Sequence, residues 1–338
     1  MSTPLDEYGL TGALKRNAMY PMHMPGHKRN PRLTPPLAIW QDITEIAGFD
    51  DLHHPTGLLA ETQRLAALLY GSKHAFLLVN GSTCGNLAAI RALHRQYGGT
   101  EMIVVGATHP SVTSAAELCG LTIVSREHAT DAKICVATSP DYYGVTLDVL
   151  ALADEMHSDG IILHVDSAHG AHLGFHPYFP ENAVKLGADV VVESLHKTLP
   201  AFGQTSVLHV CSDSIDLKEI ALQLSVFETS SPSYILMSGA DYCLRLIEKY
   251  GTELFDSFSR RLKRFYAAVS GVDVVRQPTP TIDPSRIVIS GDAIPGILRS
   301  NRIEPERVTS AGTILITTIC DEDEIFDTLI EIIKGDLK

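Results

Sequence analysis

The sequence predicts an α/β fold: a large, mostly parallel seven-stranded sheet with helices on both faces, followed by a small C-terminal α+β domain. Short apolar, β-branched runs alternate with longer segments of helical periodicity. The runs are apolar at consecutive positions, as in strands covered on both faces. Late in the chain "SSPS" at Ser230 to Ser233 and the Pro-rich "QPTPTIDP" at Gln277 to Pro284 break this alternation, and a shorter strand and helix pattern follows.

The expected strands of the large sheet are 75–80, 102–106, 121–125, 133–138, 161–166, 190–193 and 206–211. Among the helices between them, 83–97 sets Leu87, Ile90 and Leu93 on one side, and 147–157 repeats the pattern more loosely with Leu147, Leu150, Leu152 and Met156. A long helix over 234–250 is expected to stop at Gly251 and to connect the domains. The tail then reads strand 286–290, helix 293–300, strand 313–318 and helix 322–334. The organisation expected is an N-terminal segment 1–30, a large domain 31–245 and a small domain 246–338.

A net charge of −13, from 27 Lys and Arg against 40 Asp and Glu, gives no basis for nonspecific attraction to nucleic acid or anionic membrane. The N-terminus lacks a basic region followed by an apolar run, and no apolar run approaches a membrane span, so a cytoplasmic chain is expected. Six dispersed cysteines without a CxxC pair read as apolar filler. The histidine pairs at His53 and His54 and at His169 and His172 lack the spacing of a metal motif, and no metal is expected.

Chemistry gathers at four strand ends, where open α/β sheets bind ligands. In "VVVESLHKTLPAFGQTSVLHV", Lys197 follows the strand end at Glu193; burial would make its amine a nucleophile. In "ILHVDSAHGAH", Asp166 ends a mostly apolar strand and needs a cationic partner. In "LVNGSTCGNLAAI", Gly81, Ser82 and Thr83 open a helix whose amides suit a phosphate. In "VVGATHPSV", His109 is placed to lie on an aromatic ring or to act as acid or base. Taken singly, these residues also fit a loop lysine, a capping aspartate and an ordinary N-cap. Together they are the groups pyridoxal phosphate requires.

The order of these residues along the chain resembles the aspartate aminotransferase fold type of pyridoxal-phosphate enzymes (fold type I). The resemblance narrows to the Orn/Lys/Arg decarboxylase family, in a short form. It rests on "MPGHK" (Met24 to Lys28), "DDLHHPTG" (Asp50 to Gly57), "LVNGSTCGN" (Leu78 to Asn86), "TSPDYYG" (Thr138 to Gly144), "VDSAHGAH" (Val165 to His172), "SLHKTLPAFGQTS" (Ser194 to Ser206), "TSSPSYILMSGAD" (Thr229 to Asp241) and "DPSRIVIS" (Asp283 to Ser290). Two positions depart from the family pattern, Ser167 where the short branch has glutamate and Pro110 where lysine is common. The usual further C-terminal domain and the N-terminal wing domain have no counterpart in this sequence.

The resemblance implies that Lys197 carries the cofactor, Asp166 holds the pyridinium nitrogen, His109 stacks on the ring, and His196 joins the catalytic set. Ser82, Thr83, Cys84, Ala168, His169, Ser194 and His196 would line the cofactor site, with Ser230 or Ser231 reaching the phosphate of a neighbouring subunit. It further implies a homodimer with shared sites and decarboxylation of arginine, lysine or ornithine. The alternatives are another pyridoxal-phosphate reaction on an amino acid, by an aminotransferase, lyase or deaminase, or a catalytically weak relative.

Overall fold

The computed structural model describes residues 17–34 and 39–336. After the short β1 (Tyr20–Met22), the large sheet collects β2 (His74–Leu78), β3 (Glu101–Val105), β4 (Thr122–Val124), β5 (Ala132–Thr138), β6 (Ile162–Asp166), β7 (Val190–Glu193) and β8 (Ser206–Val210). Their order is β2-β8-β7-β6-β5-β3-β4. All seven expected strands are present. The run from β4 to β7 is parallel, and only β8 opposes its neighbours β7 and β2.

That reversal has a local cause. The connection from β7 to β8 covers residues 194–205, too short for a helical crossover that would return the chain to the opposite edge. The chain therefore turns straight back, and the start of β8 lies beside the ends of β7 and β2.

Helices cover both faces. They are α1 (Leu58–Tyr70), α2 (Gly81–Tyr97), α3 (Pro110–Cys119), α4 (Val149–Ser158), the one-turn α5 (Leu195–Thr198), α6 (Leu217–Phe227) and α7 (Tyr234–Ala268). Alternate residues of each strand enter opposite cores. Val190 and Val192 of β7 pack with Ala88, Val112 and Leu224 of α2, α3 and α6. Val191 packs with Leu65, Ala153 and Phe255 of α1, α4 and α7.

The long helix corrects an expectation. It does not stop at Gly251 but runs 35 residues to Ala268. Gly251 is buried, and the apolar stripe continues through Phe255, Phe258, Leu262 and Phe265, so packing outweighs the modest helix penalty of one glycine. The boundary expected at 245 falls inside this helix.

The remaining elements are β9 (Arg286–Ile289), α8 (Ile294–Ser300), β10 (Ile303–Pro305), β11 (Arg307–Thr309), β12 (Gly312–Ile316) and α9 (Asp323–Asp336). β11, β12 and β9 form an antiparallel sheet, and β1 pairs in parallel with β10. The pairing draws the segment after β1 between the two sheets. Gly26 N–H donates to His196 O at 2.7 Å, while Thr318 Oγ1 donates to Gly26 O at 2.7 Å.

Lys28 donates to the carbonyls of Pro21, His23 and Ile316 at 3.0, 2.9 and 2.6 Å. A side chain at position 26 has no room: its Cβ would lie 2.7 Å from Leu199 O and 2.9 Å from Thr198 C, both backbone atoms of the Lys197 turn. Gly26→Ala is expected to lower stability by about 1–3 kcal/mol, read as a reduced urea midpoint. An unchanged midpoint would show that this close approach does not constrain the folded protein.

Candidate active site

The short return from β7 to β8 gathers hydroxyls at one edge. Ser194 Oγ donates to Ser82 Oγ at 3.0 Å, and Ser206 Oγ lies 3.5 Å from Ser194 Oγ. Ser82 and Thr83 stand in the first turn of α2, whose amide ends favour an anion. Gly81 N–H is already engaged by Gln204 O at 2.8 Å. Ser206, the first residue of β8, belongs to this cluster. His196 Nδ1 faces Thr205 O at 2.9 Å, and burial lowers its pKa.

The Cys84 side chain is turned into the core beside Leu78 and Ala88 and against Glu228, so the open end of the helix receives only its backbone. Ser230 and Ser231 are exposed on the turn before α7.

Asp166 is buried at the end of β6, and its two oxygens have different partners. Oδ1 accepts from Ala168 N–H at 3.1 Å and Oδ2 from Asn86 Nδ2 at 2.9 Å. Asn86 Nδ2 also reaches Ser111 Oγ at 3.0 Å, and Asn86 Oδ1 faces His164 Nε2 at 3.0 Å. His164 and Asp166 share one face of β6 because they are two residues apart. His109 caps α3, its Nδ1 accepting from Ser111 N–H at 3.1 Å. Asn86 thus ties together the residues expected to hold the ring from its edge and from its face.

Lys197 is the centre of the cluster. Its Nζ lies 3.3 Å from His169 Nε2, and Arg286 Nη2 lies 3.0 Å from His169 Nδ1. Arginine only donates, so Nδ1 must accept and the proton of neutral His169 sits on Nε2. That Nε2–H points at Lys197 Nζ, which can accept only as a neutral amine. The electrostatics agree: burial first, then the nearby Arg286 charge, lowers Lys197 against the opposing pull of Asp166. Burial, Lys197 and Arg286 hold His169 well below its usual value. Burial likewise lowers His109, with Asp166 opposing and Lys197 assisting.

Arg286 was not picked out as a site residue from the sequence. It is fully buried, and its Nε and Nη1 have no hydrogen-bond partner among the described residues. Donors left so in a buried site call for an anion. Tyr142 closes this side, its ring edge-on to His169 at 5.3 Å and its hydroxyl on Glu306 at 2.7 Å. A larger groove of about 500 Å³, between α1, β2 and α6, includes Leu52, Phe76 and Leu217 but none of these residues. Converging polar groups, not cavity size, locate the site.

The description "Orn/Lys/Arg decarboxylase, major domain" matches residues 35–128 and 120–282. The chain belongs to the Orn/Lys/Arg decarboxylase family. It is 34% identical to "Uncharacterized protein YaaO" of Bacillus subtilis, over all of this chain and 78% of that one. It is 29% identical to an arginine decarboxylase of Bacillus cereus, over 82% of this chain and 68% of the relative. Among solved structures, lysine decarboxylase A from Pseudomonas aeruginosa superposes with a TM-score of 0.74 at 16% identity, covering 88% of this chain and 53% of that one. This chain thus spans about half the length of that solved chain, and the likeness shows a shared fold.

His164 supplies a pH test of the buried network. Burial pushes its pKa down to about 4, against the pull of Asp166. The unfolded chain keeps an ordinary value near 6.5 and binds more protons between the two values. Stability should therefore fall as pH drops from about 6.5 towards 4, by up to ~3 kcal/mol from this residue. Urea midpoints at pH 7 and pH 5 should differ less in His164→Gln than in the parent chain. Equal differences would show that His164 does not titrate with folding.

Proposed function

We propose that this chain is a pyridoxal-phosphate-dependent decarboxylase of a basic amino acid, arginine, lysine or ornithine, working in the cytoplasm as a homodimer. The observation that carries the reading is the Lys197 amine, its pKa lowered by burial, 3.3 Å from His169 Nε2 and within electrostatic reach of Asp166. The residues present fit the cofactor. Lys197 would hold its carbonyl carbon, Asp166 its ring nitrogen and His109 its face. Ser82, Thr83, Ser194, Ser206, His196 and the amides of α2 would hold its phosphate, with Ser230 or Ser231 contributed by the neighbouring subunit.

When bound, pyridoxal phosphate supplies an electron sink conjugated to the substrate Cα. Asp166, held in place by Asn86 and Ala168, would keep a proton on the ring nitrogen. Arg286 offers Nε–H and Nη1–H to the substrate carboxylate. Lys197 would carry a proton on Nζ to the substrate Cα. His169, itself buried, orients that amine.

Arg286 also favours a second reading. A desolvated guanidinium stabilises the carboxylate anion whose charge decarboxylation must disperse, which favours breaking another bond at Cα, as an aminotransferase, lyase or deaminase does. Product analysis separates the two readings. The loaded protein is incubated with arginine, lysine or ornithine and with pyruvate as amino acceptor, and carbon dioxide, amine and the keto acid of the substrate are measured. One of the three substrates should give amine and carbon dioxide in equal amounts. Keto acid without carbon dioxide would establish the second reading, and no product from any of them would overturn both. Asp166→Asn should retain the cofactor while turnover falls about 100-fold, the loss of ~3 kcal/mol of transition-state stabilisation.

A further inference from the structure

His172, Asp283 and Ser285 form a second polar cluster that takes no part in the chemistry above. His172 Nε2 lies 3.1 Å from Asp283 Oδ2 and 3.2 Å from Ser285 Oγ. Ser285 Oγ donates to Asp283 Oδ2 at 2.7 Å, and Ser285 N–H donates to Asp283 Oδ1 at 2.9 Å. The three residues are 2%, 0% and 0% exposed, and the serine proton is committed to the carboxylate, so a nucleophilic triad is ruled out. Charged groups are buried at this depth only with full pairing. Burial opposes ionisation of Asp283, yet His172 and the Ser285 and Arg286 contacts hold it at about 2.

The placement of the cluster indicates its role. His169 and His172 are three residues apart on the loop after β6, and Asp283 and Arg286 are three residues apart at the entry to β9. The segments run in opposite directions, so His169 meets Arg286 where His172 meets Asp283. Asp283 O accepts from Arg286 N–H at 3.2 Å, and Asp283 N–H donates to Gly144 O at 2.8 Å. Gly144 has φ +83°, and a Cβ there would lie 2.7 Å from Arg286 Cγ, so the glycine leaves room for the arginine stem. Ser285 O in turn accepts from Thr317 N–H at 3.0 Å and Thr317 Oγ1 at 2.9 Å, fixing the segment to the small sheet.

We propose that the His172–Asp283–Ser285 cluster is a positioning device that registers the β9 segment against the β6 loop, so that Arg286 meets His169 Nδ1 and thereby directs His169 Nε2–H at Lys197. The inference rests on Lys197 being the cofactor lysine. Asp283 and His172 are positioning residues, acting through Arg286 and His169. Without the cluster Arg286 leaves its place, His169 loses its fixed tautomer, and Lys197 regains a proton.

The test uses the full chain free of cofactor and follows the rate of adduct formation with pyridoxal phosphate against pH. The charged and titratable groups influencing Lys197 are Asp166, Arg286, Glu306, His169, His109 and His196, and none is altered in Asp283→Asn, His172→Gln or Ser285→Ala. In Asp283→Asn and in His172→Gln the pH midpoint should rise by one unit or more, which slows capture about tenfold at neutral pH. Arg286→Met should reproduce the shift. Ser285→Ala, which keeps the His172–Asp283 pair, should shift it less and serves if the other variants fail to fold. Ile220→Ala, a core truncation on α6 in the opposite core, controls for lost stability and should leave the midpoint unchanged.

Variants that lower the urea midpoint but keep the parent pH midpoint would overturn the inference and leave the cluster a structural pair. Peptide mapping of the parent chain distinguishes the other failure: an adduct on a lysine other than Lys197 would overturn the proposed function and this inference together.

Discussion

The site depends on one asymmetry of hydrogen bonding: arginine donates and cannot accept. Because Arg286 Nη2 meets His169 Nδ1 at 3.0 Å, the imidazole has its proton on the far nitrogen, and the lysine beyond it must accept. Burial alone would depress the lysine, but it would not aim its lone pair. The arginine adds a fixed charge that disfavours a second cation and a fixed tautomer that orients the amine.

Lys28 makes the contrast. It is also buried and its pKa is lowered by burial, yet it donates to three carbonyls, which uses all three protons of an ammonium and leaves no lone pair. Two buried lysines in one chain thus have opposite roles. Lys28 pins the N-terminal segment to the small sheet. Lys197 remains available because its neighbours at the strand ends are basic or already engaged.

Much of this was legible in the sequence. The apolar runs located all seven strands of the large sheet, and Lys197, Asp166, His109 and Ser82 stood at strand ends where the topology converges. Local pattern could not show which polar groups meet across the fold. Asn86 is one helical turn beyond Ser82 and His164 lies in an apolar strand, so neither stands out until α2 is laid on β6. Arg286 and Asp283 come more than one hundred residues after His169 and His172, and nothing in either segment announces the pairing. Gly251 misled for a related reason: a glycine punctuates a chain by itself, but here the buried aromatic stripe beyond it keeps the helix intact. Cys84 sits at the right helix start, but its side chain belongs to the core.

Reduction with borohydride after addition of pyridoxal phosphate, followed by peptide mapping, tests the central claim most directly, because only a neutral amine that condenses with the aldehyde is trapped. The geometry requires a single adduct, on Lys197, at neutral pH. An adduct on the carbonyl-bound Lys28, or on exposed Lys73 beside Asp213, with Lys197 unmodified, would contradict it.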